Sequence, residues 1–225
     1  MKNKNIFVAC DVSSQKDILN LLSKIYEEIS GIKIGLQYIT NHSPKEIREL
    51  GKFNKPIFYD GKFFDIKNTL VESIKSLKEL NINYATVHLL NGLNSLKAAN
   101  KTANEIGIKL LGVSVLTSFD NEELDQLGFK DQVQDQVSRL IKIADKANLY
   151  GVICSPLEVK MIKEIAPNLK CFTPGIRQNE NKNDQKRTMN AKQALEEGSD
   201  CLIIGRPITD GDPKKNIQKI LSSLN

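Results

Sequence analysis

The sequence predicts an α/β fold, a (β/α)8 TIM barrel built as a single domain over residues 1–225. Three observations carry that expectation. Short apolar runs rich in Ile, Val and Phe recur eight times, amphipathic segments of helical spacing separate them, and no linker or low-complexity tract divides the chain. A doubly wound open sheet is the alternative, weakened because no G-x-G-x-x-G follows the first strand.

Taken in order, strands are expected near Ile6–Asp11, Gly31–Gly35, Pro56–Lys62, Tyr84–Leu89, Lys109–Thr117, Tyr150–Ser155, Lys170–Gly175 and Cys201–Arg206. Each is too short for a helix and is β-branched or aromatic in character. After the first strand, Ile18, Leu21, Leu22, Ile25 and Ile29 recur at helical spacing, as do Leu70, Ile74, Leu77 and Leu80 after the third. Leu93–Glu105, Gln132–Lys146, Leu157–Ile165, Met189–Glu197 and Pro213–Leu224 read as further helices. Pro213 suits a first helical turn, and Gly107 and Gly198 suit helix ends.

Composition excludes several classes of function. The net charge is +5, but Lys and Arg are dispersed among acids rather than gathered in a stripe, which argues against nucleic-acid binding. Cys10, Cys154, Cys171 and Cys201 form no C-x-x-C pair and lie in or beside apolar runs, so they read as reduced core residues rather than metal ligands or disulfides. The first residues lack an apolar signal core and no run reaches membrane-spanning length, so a cytoplasmic protein without a membrane partner is expected.

Chemistry concentrates at the third strand. Apolar Lys55-Pro56-Ile57-Phe58-Tyr59 runs into Asp60-Gly61-Lys62-Phe63-Phe64-Asp65-Ile66-Lys67-Asn68-Thr69. Residues two apart on a strand share a face, so Asp60 and Lys62 should point the same way, with Asp65 in the turn and Asn68 or Thr69 capping the next helix. Such charges are costly to bury unless they pair with one another or with a substrate. Catalytic residues of these barrels sit at the C-terminal ends of strands. Those ends carry Asp11, Lys33, Asp60, Lys62, His88, Thr117, Ser155, Arg177 and Arg206. Parallel barrel strands are covered on both sides, so Lys33 in Ile32-Lys33-Ile34 is read as pointing inward.

Lys33, Asp60, Lys62 and Asp65 would then alternate in charge and hold the Lys62 ammonium protonated and still, ready to quench a carbanion. An ordinary ion-pair network closing the barrel mouth is an equally open reading of the residue types. The last two strands carry Thr173-Pro174-Gly175-Ile176-Arg177 and Ile203-Ile204-Gly205-Arg206-Pro207. Phosphate sites of these barrels are often built after strands seven and eight. Glycine admits backbone N–H groups and arginine supplies a bidentate fork, so a monophosphate site is preferred over two surface turns. His88 reads as structural and His42 as surface. No Ser-His-Asp set and no zinc site is visible.

Together these segments resemble orotidine 5′-phosphate decarboxylase of the bacterial type over nearly the whole chain. The third strand carries the D-x-K-x-x-D-I-x-N-T pattern as Asp60 to Thr69. Ala9-Cys10-Asp11, Lys33-Ile34-Gly35, Gly112 to Ser118, Gly151 to Ser155, Pro174 to Arg177, Asp184 to Arg187 and Ile204 to Pro207 follow in the family's order. The resemblance implies decarboxylation of orotidine 5′-monophosphate to uridine 5′-monophosphate in de novo pyrimidine biosynthesis, with no metal and no organic cofactor. It implies Lys62 as proton donor to C6 and Asp60 beside the substrate carboxylate, with Asp11 and Lys33 on the ribose hydroxyls. Thr117 and Ser118 would contact the pyrimidine. Arg177, Gln185, Gly205 and Arg206 would hold the phosphate, with Asn179 to Asp184 as a closing loop. Asp65, Ile66 and Thr69 would cross a homodimer interface into the partner's site. Phe64 stands where the family commonly has His, Lys67 where it has Pro, and Leu89-Leu90-Asn91-Gly92 replaces a small glycine-containing turn. These departures touch loop packing and dimer contacts. A magnesium-dependent sugar-phosphate decarboxylase or synthase of the same barrel group, and a catalytically dead binding barrel, are the competing readings.

Overall fold

Eight parallel strands pair in chain order, β1 to β8, and β1 closes on β8. The computed structural model describes residues 5–12, 14–177 and 187–224. The elements run β1 Ile6–Ala9, α1 Gln15–Ile25, β2 Gly31–Gly35, α2 Leu36–Asn41, α3 Pro44–Glu49, β3 Ile57–Phe63, α4 Lys67–Ser76 and β4 Tyr84–His88. They continue with α5 Leu93–Glu105, β5 Lys109–Val113, α6 Asn121–Gln126, α7 Val133–Lys146, β6 Gly151–Ile153 and α8 Val159–Ile165. The last are β7 Lys170–Thr173, α9 Ala191–Glu196, β8 Cys201–Ile204, α10 Arg206–Thr209 and α11 Pro213–Ser223. The expected closed barrel is therefore what the chain forms, and the open sheet is not.

Strand alternation sorts side chains into two layers. Ile6, Val8, Ile32 and Ile34 face outward into the apolar layer shared with the helices, where Ile18, Leu22, Val137 and Ile141 are fully buried. Phe7, Phe58, Tyr84 and Phe172 face inward and meet at ring separations of 5.4 to 6.5 Å, filling the N-terminal half of the barrel. With that end packed by rings, inward positions nearer the strand C-termini are left for polar groups. All four cysteines are buried and free, as expected, and burial raises the Cys10 thiol to about 12.

Two expectations are corrected. The helix after β3 starts at Lys67, so Asn68 and Thr69 lie inside its first turn; its N-cap is Ile66, which makes no side-chain cap. Asp65 supplies the local side-chain bond instead, its Oδ1 accepting from Ile66 N at 2.7 Å. The eighth strand ends at Ile204, and Arg206 opens α10.

At the opposite end of the barrel, Asp200 ties β7 to β8. It pairs with Lys163, accepts from Cys171 N at 2.8 Å and pairs with Lys170 at 3.1 Å. Burial works against its charge, yet these donors together hold the carboxyl below its usual 3.8. A depressed folded-state pKa contributes stability above the unfolded value, lost as pH falls through the folded one. Asp200→Asn should therefore lower stability by about 1–2 kcal/mol at pH 7, or about 2–8 °C in Tm. The gap from wild type should shrink below about pH 4. Thermal melts at pH 7 and pH 3 check both.

Candidate active site

The site is built outward from β3. Tyr59 pairs with Ala85 and Phe63 with Val87, so four steps along β3 match two along β4. The excess is absorbed as a bulge across Asp60-Gly61-Lys62, the kind of irregularity that re-aims side chains. Tyr59 and Phe63 stack at 5.8 Å on the outer side. A Cβ on Gly61 would meet the Tyr59 ring at 2.8 Å, so any other residue there would force the ring to shift. Lys62 pays for the bulge with φ +48°, the left-handed region unusual for a side chain of its length.

This backbone aims Asp60 and Lys62 into the barrel mouth. Lys62 Nζ donates to Asp60 Oδ2 at 2.9 Å, and Lys33 Nζ lies 3.8 Å from the same oxygen. Lys33 in turn donates to Asp11 Oδ1 at 2.9 Å. Asp11, Lys33, Asp60 and Lys62 thus alternate in sign around the opening. Lys33 is inward and buried, as its flanking isoleucines predict, whereas Asp11 is half exposed. A Cβ on Gly35 would lie 3.0 Å from Asp11 Oδ1 and 3.2 Å from Lys33 Nζ, so the glycine makes room for this pair. The outer ends of the array, Lys62 at 34% and Asp11 at 52% side-chain exposure, are the parts open to a ligand.

The array lines one wall of a cavity of about 520 Å³. Arg177 and Arg206 stand elsewhere on its lining, next to Pro174, Gly175 and Gly205. Thr117 lines it too, in the loop beyond β5, together with Val113 and Ile153. That combination places three acids, two lysines, two arginines and a small apolar surface around one space the size of a small ligand.

Other expected residues stand apart from the cavity. Ser118 does not line it. Asp65, Ile66 and Thr69 are exposed outside it, so Asp65 does not join the array within this chain. Ser155 is fully buried and caps a turn, accepting from Leu157 N at 3.2 Å and donating to Arg187 O at 3.3 Å. His88 ends β4, where Nδ1 accepts from Leu90 N at 3.2 Å and the ring lies 5.5 Å from Phe64. Burial, and secondarily the Lys62 charge, hold its pKa below the usual histidine value, which suits a neutral structural imidazole. Gln185 and Asn179 to Asp184 lie outside the described residues.

Sequence reasoning missed five contributors. Gln37, Thr209 and Asp210 line the cavity, from the α2 and α10 turns that follow β2 and β8. Asn91 bridges two loops: its Nδ2 donates to Phe63 O at 2.9 Å and His88 O at 2.8 Å, and its Oδ1 accepts from Asp65 N at 3.1 Å. Thr86, fully buried on β4, accepts from Lys62 N and donates to Asp60. Among the described residues, no group of three or more His, Cys, Asp and Glu is placed to hold a metal ion.

Similarity to known proteins runs over nearly the whole chain. A family model described as orotidine 5′-phosphate decarboxylase / HUMPS family matches residues 4–220. The orotidine 5′-phosphate decarboxylase of Wolbachia pipientis subsp. Culex pipiens is 38% identical over 221 residues, covering 97% of this chain and 98% of the relative. That of Ehrlichia canis is 37% identical, covering 98% and 97%. The crystal structure of orotidine 5′-phosphate decarboxylase from Lactobacillus acidophilus superposes with TM-score 0.84 at 32% identity, covering 99% of each chain. The chain belongs to the orotidine 5′-phosphate decarboxylase / HUMPS family.

Proposed function

We propose that this chain decarboxylates orotidine 5′-monophosphate to uridine 5′-monophosphate and carbon dioxide in de novo pyrimidine biosynthesis, without a metal, and with Lys62 as the acid. The observation that carries the reading is one ammonium, that of Lys62, held 2.9 Å from Asp60 on a cavity also lined by Arg177 and Arg206. Relatives named orotidine 5′-phosphate decarboxylase, matched over nearly their whole length, supply the substrate.

In the proposed complex Arg177, Gln185, Gly205 and Arg206 hold the phosphate, Asp11 and Lys33 take the ribose hydroxyls, and Thr117, which lines the cavity where Ser118 does not, meets the pyrimidine. The C6 carboxylate then lies beside Asp60. The bond from C6 to the carboxylate carbon breaks, its electron pair stays on C6, and carbon dioxide leaves. Lys62 gives its proton to C6 and, as a neutral amine, regains one from solvent. The alternating charges let a protonated amine stand close to the forming carbanion, and a charge already in place costs no reorganisation during the reaction. An ultraviolet assay on orotidine 5′-monophosphate, run with and without a chelator, tests the reading. Turnover unaffected by chelation is expected, whereas turnover lost on chelation would favour a magnesium-dependent chemistry.

The same reading makes the working unit a cytoplasmic homodimer, with Asp65, Ile66 and Thr69 of each protomer completing the other's site. Support comes from Asp65 lying outside its own cavity while Phe64 (63%), Ile66 (75%) and Leu90 (42%) are exposed around it. Exposed apolar groups of that size beside a charged functional motif suit an interface. Mixing inactive Asp65→Ala and Lys62→Ala protomers should restore up to about a quarter of the wild-type sites, by random pairing of two halves. Verified mixed dimers without activity would refute shared sites.

A further inference from the structure

We propose that Thr86 is a positioning residue for the reaction, and that its single hydroxyl fixes both Asp60 and Lys62. This inference rests on the functional reading above, in which those residues do the chemistry. Thr86 sits on β4 opposite the bulge and is fully buried, so it touches neither solvent nor the cavity. Its Oγ1 accepts from Lys62 N at 2.8 Å and donates to Asp60 Oδ1 at 3.0 Å.

The direction of these bonds is forced. A backbone N–H can only donate, so the hydroxyl must use a lone pair on that side. Its proton is then free for the carboxylate, which when ionised can only accept. Asp60 is consequently held at both oxygens, Oδ1 by Thr86 and Oδ2 by Lys62 at 2.9 Å, so its plane is set. Lys62 is likewise held at both ends, its backbone by Thr86 and its ammonium by Asp60. The backbone anchor matters because Lys62 occupies φ +48°, a conformation that persists only when its surroundings impose it. The bulge leaves the Lys62 N–H without a ladder partner at that point, and Thr86 is the side chain that takes it.

Valine has the shape of threonine without the hydroxyl, so Thr86→Val removes both bonds and leaves a buried donor and acceptor unpaired. Thr86→Ser keeps both. The valine variant should lose about 10- to 100-fold in kcat, with KM for orotidine 5′-monophosphate and affinity for uridine 5′-monophosphate within about threefold of wild type. The serine variant should recover kcat to within about threefold, an outcome that a purely structural methyl contact would not produce. If the valine variant fails to fold, Thr86→Ala against Thr86→Ser makes the same comparison. A valine or alanine variant with wild-type kcat, or a serine variant no better than either, overturns the proposal. A crystal structure of the variant lacking the hydroxyl judges it separately from activity. Lys62 should leave the left-handed region or its ammonium should move from Asp60, and unchanged geometry overturns Thr86's role whatever the substrate proves to be. Absence of any turnover by the wild-type chain would instead count against the decarboxylase reading.

Discussion

Lys62→Ala should abolish carbon dioxide release from orotidine 5′-monophosphate, with kcat falling on the order of 10⁴-fold or more, while uridine 5′-monophosphate still binds. The size follows from removing two effects at once. A positioned acid is worth roughly 10²–10⁴-fold, and a preorganised charge facing a developing anion roughly 10²–10³-fold. Removal of the ammonium also leaves the Asp60 Oδ2 oxygen with Lys33 at 3.8 Å instead of a direct partner at 2.9 Å, so the substrate carboxylate would meet a less neutralised acid. Both residues carry a Cβ, so the substitution leaves the left-handed backbone requirement unchanged. Product binding separates loss of chemistry from collapse of the cavity, because the proposed phosphate site uses Arg177 and Arg206, on other strands' loops. Steady-state assay together with uridine 5′-monophosphate titration checks the prediction, and substantial residual turnover would remove Lys62 from its role.

Arg206→Ala should lower kcat/KM for orotidine 5′-monophosphate by about 30- to 1,000-fold, mostly through KM. Charge-assisted bonds from guanidinium to phosphate are among the stronger polar contacts, and losing one partner of a close charge pair typically costs about 2–4 kcal/mol. Arg206 is exposed at the start of α10, so its truncation leaves the packed barrel intact and a folded variant is expected. Part of the loss should fall on kcat if phosphate binding organises the charges around the scissile bond, since remote binding energy can be used that way. Lysine at the same position should recover only part of the rate, because it presents a point charge where arginine presents a fork. Kinetics unchanged from wild type in Arg206→Ala would count against the phosphate assignment.

Much of this site was legible because its residues violate their surroundings. An ammonium between Ile32 and Ile34 is costly unless it faces a partner, and Lys33 does face Asp11 and Asp60. Strand alternation put Asp60 and Lys62 on one face, and they do meet, though a bulge rather than regular alternation brings them together. The bulge that carries them was not legible, since Gly61 between two charges reads equally as a turn or as a strand. Thr86 escaped notice for a related reason. Between Ala85 and Val87, a threonine looks like an ordinary β-former, and only the register with β3 reveals what its hydroxyl meets.

Some missed elements had signals that went unread. Ser43-Pro44-Lys45-Glu46 spells a capping box with proline in the first turn, and it opens α3. Asp120 and Glu123 form the same device at the start of α6. Both helices are six residues long with one buried side chain each, Ile47 and Leu124, too little for an apolar period to register. Asp65 reads as part of the array by sequence spacing, but the bulge ends before it and the turn carries it out of its own chain's cavity. Asn91 lies in the turn after β4, and its role in tying that turn to the end of β3 and to Asp65 emerges only from three-dimensional proximity.

The account depends on an ammonium reaching the carbon that loses its carboxyl group. The most direct test is the crystal structure of this chain with uridine 5′-monophosphate bound. Lys62 Nζ should lie within about 3.5 Å of C6, the separation of groups poised to react, while the phosphate sits on Arg177 and Arg206. A nucleotide bound with C6 turned away from Lys62, or with its phosphate remote from both arginines, would contradict the account.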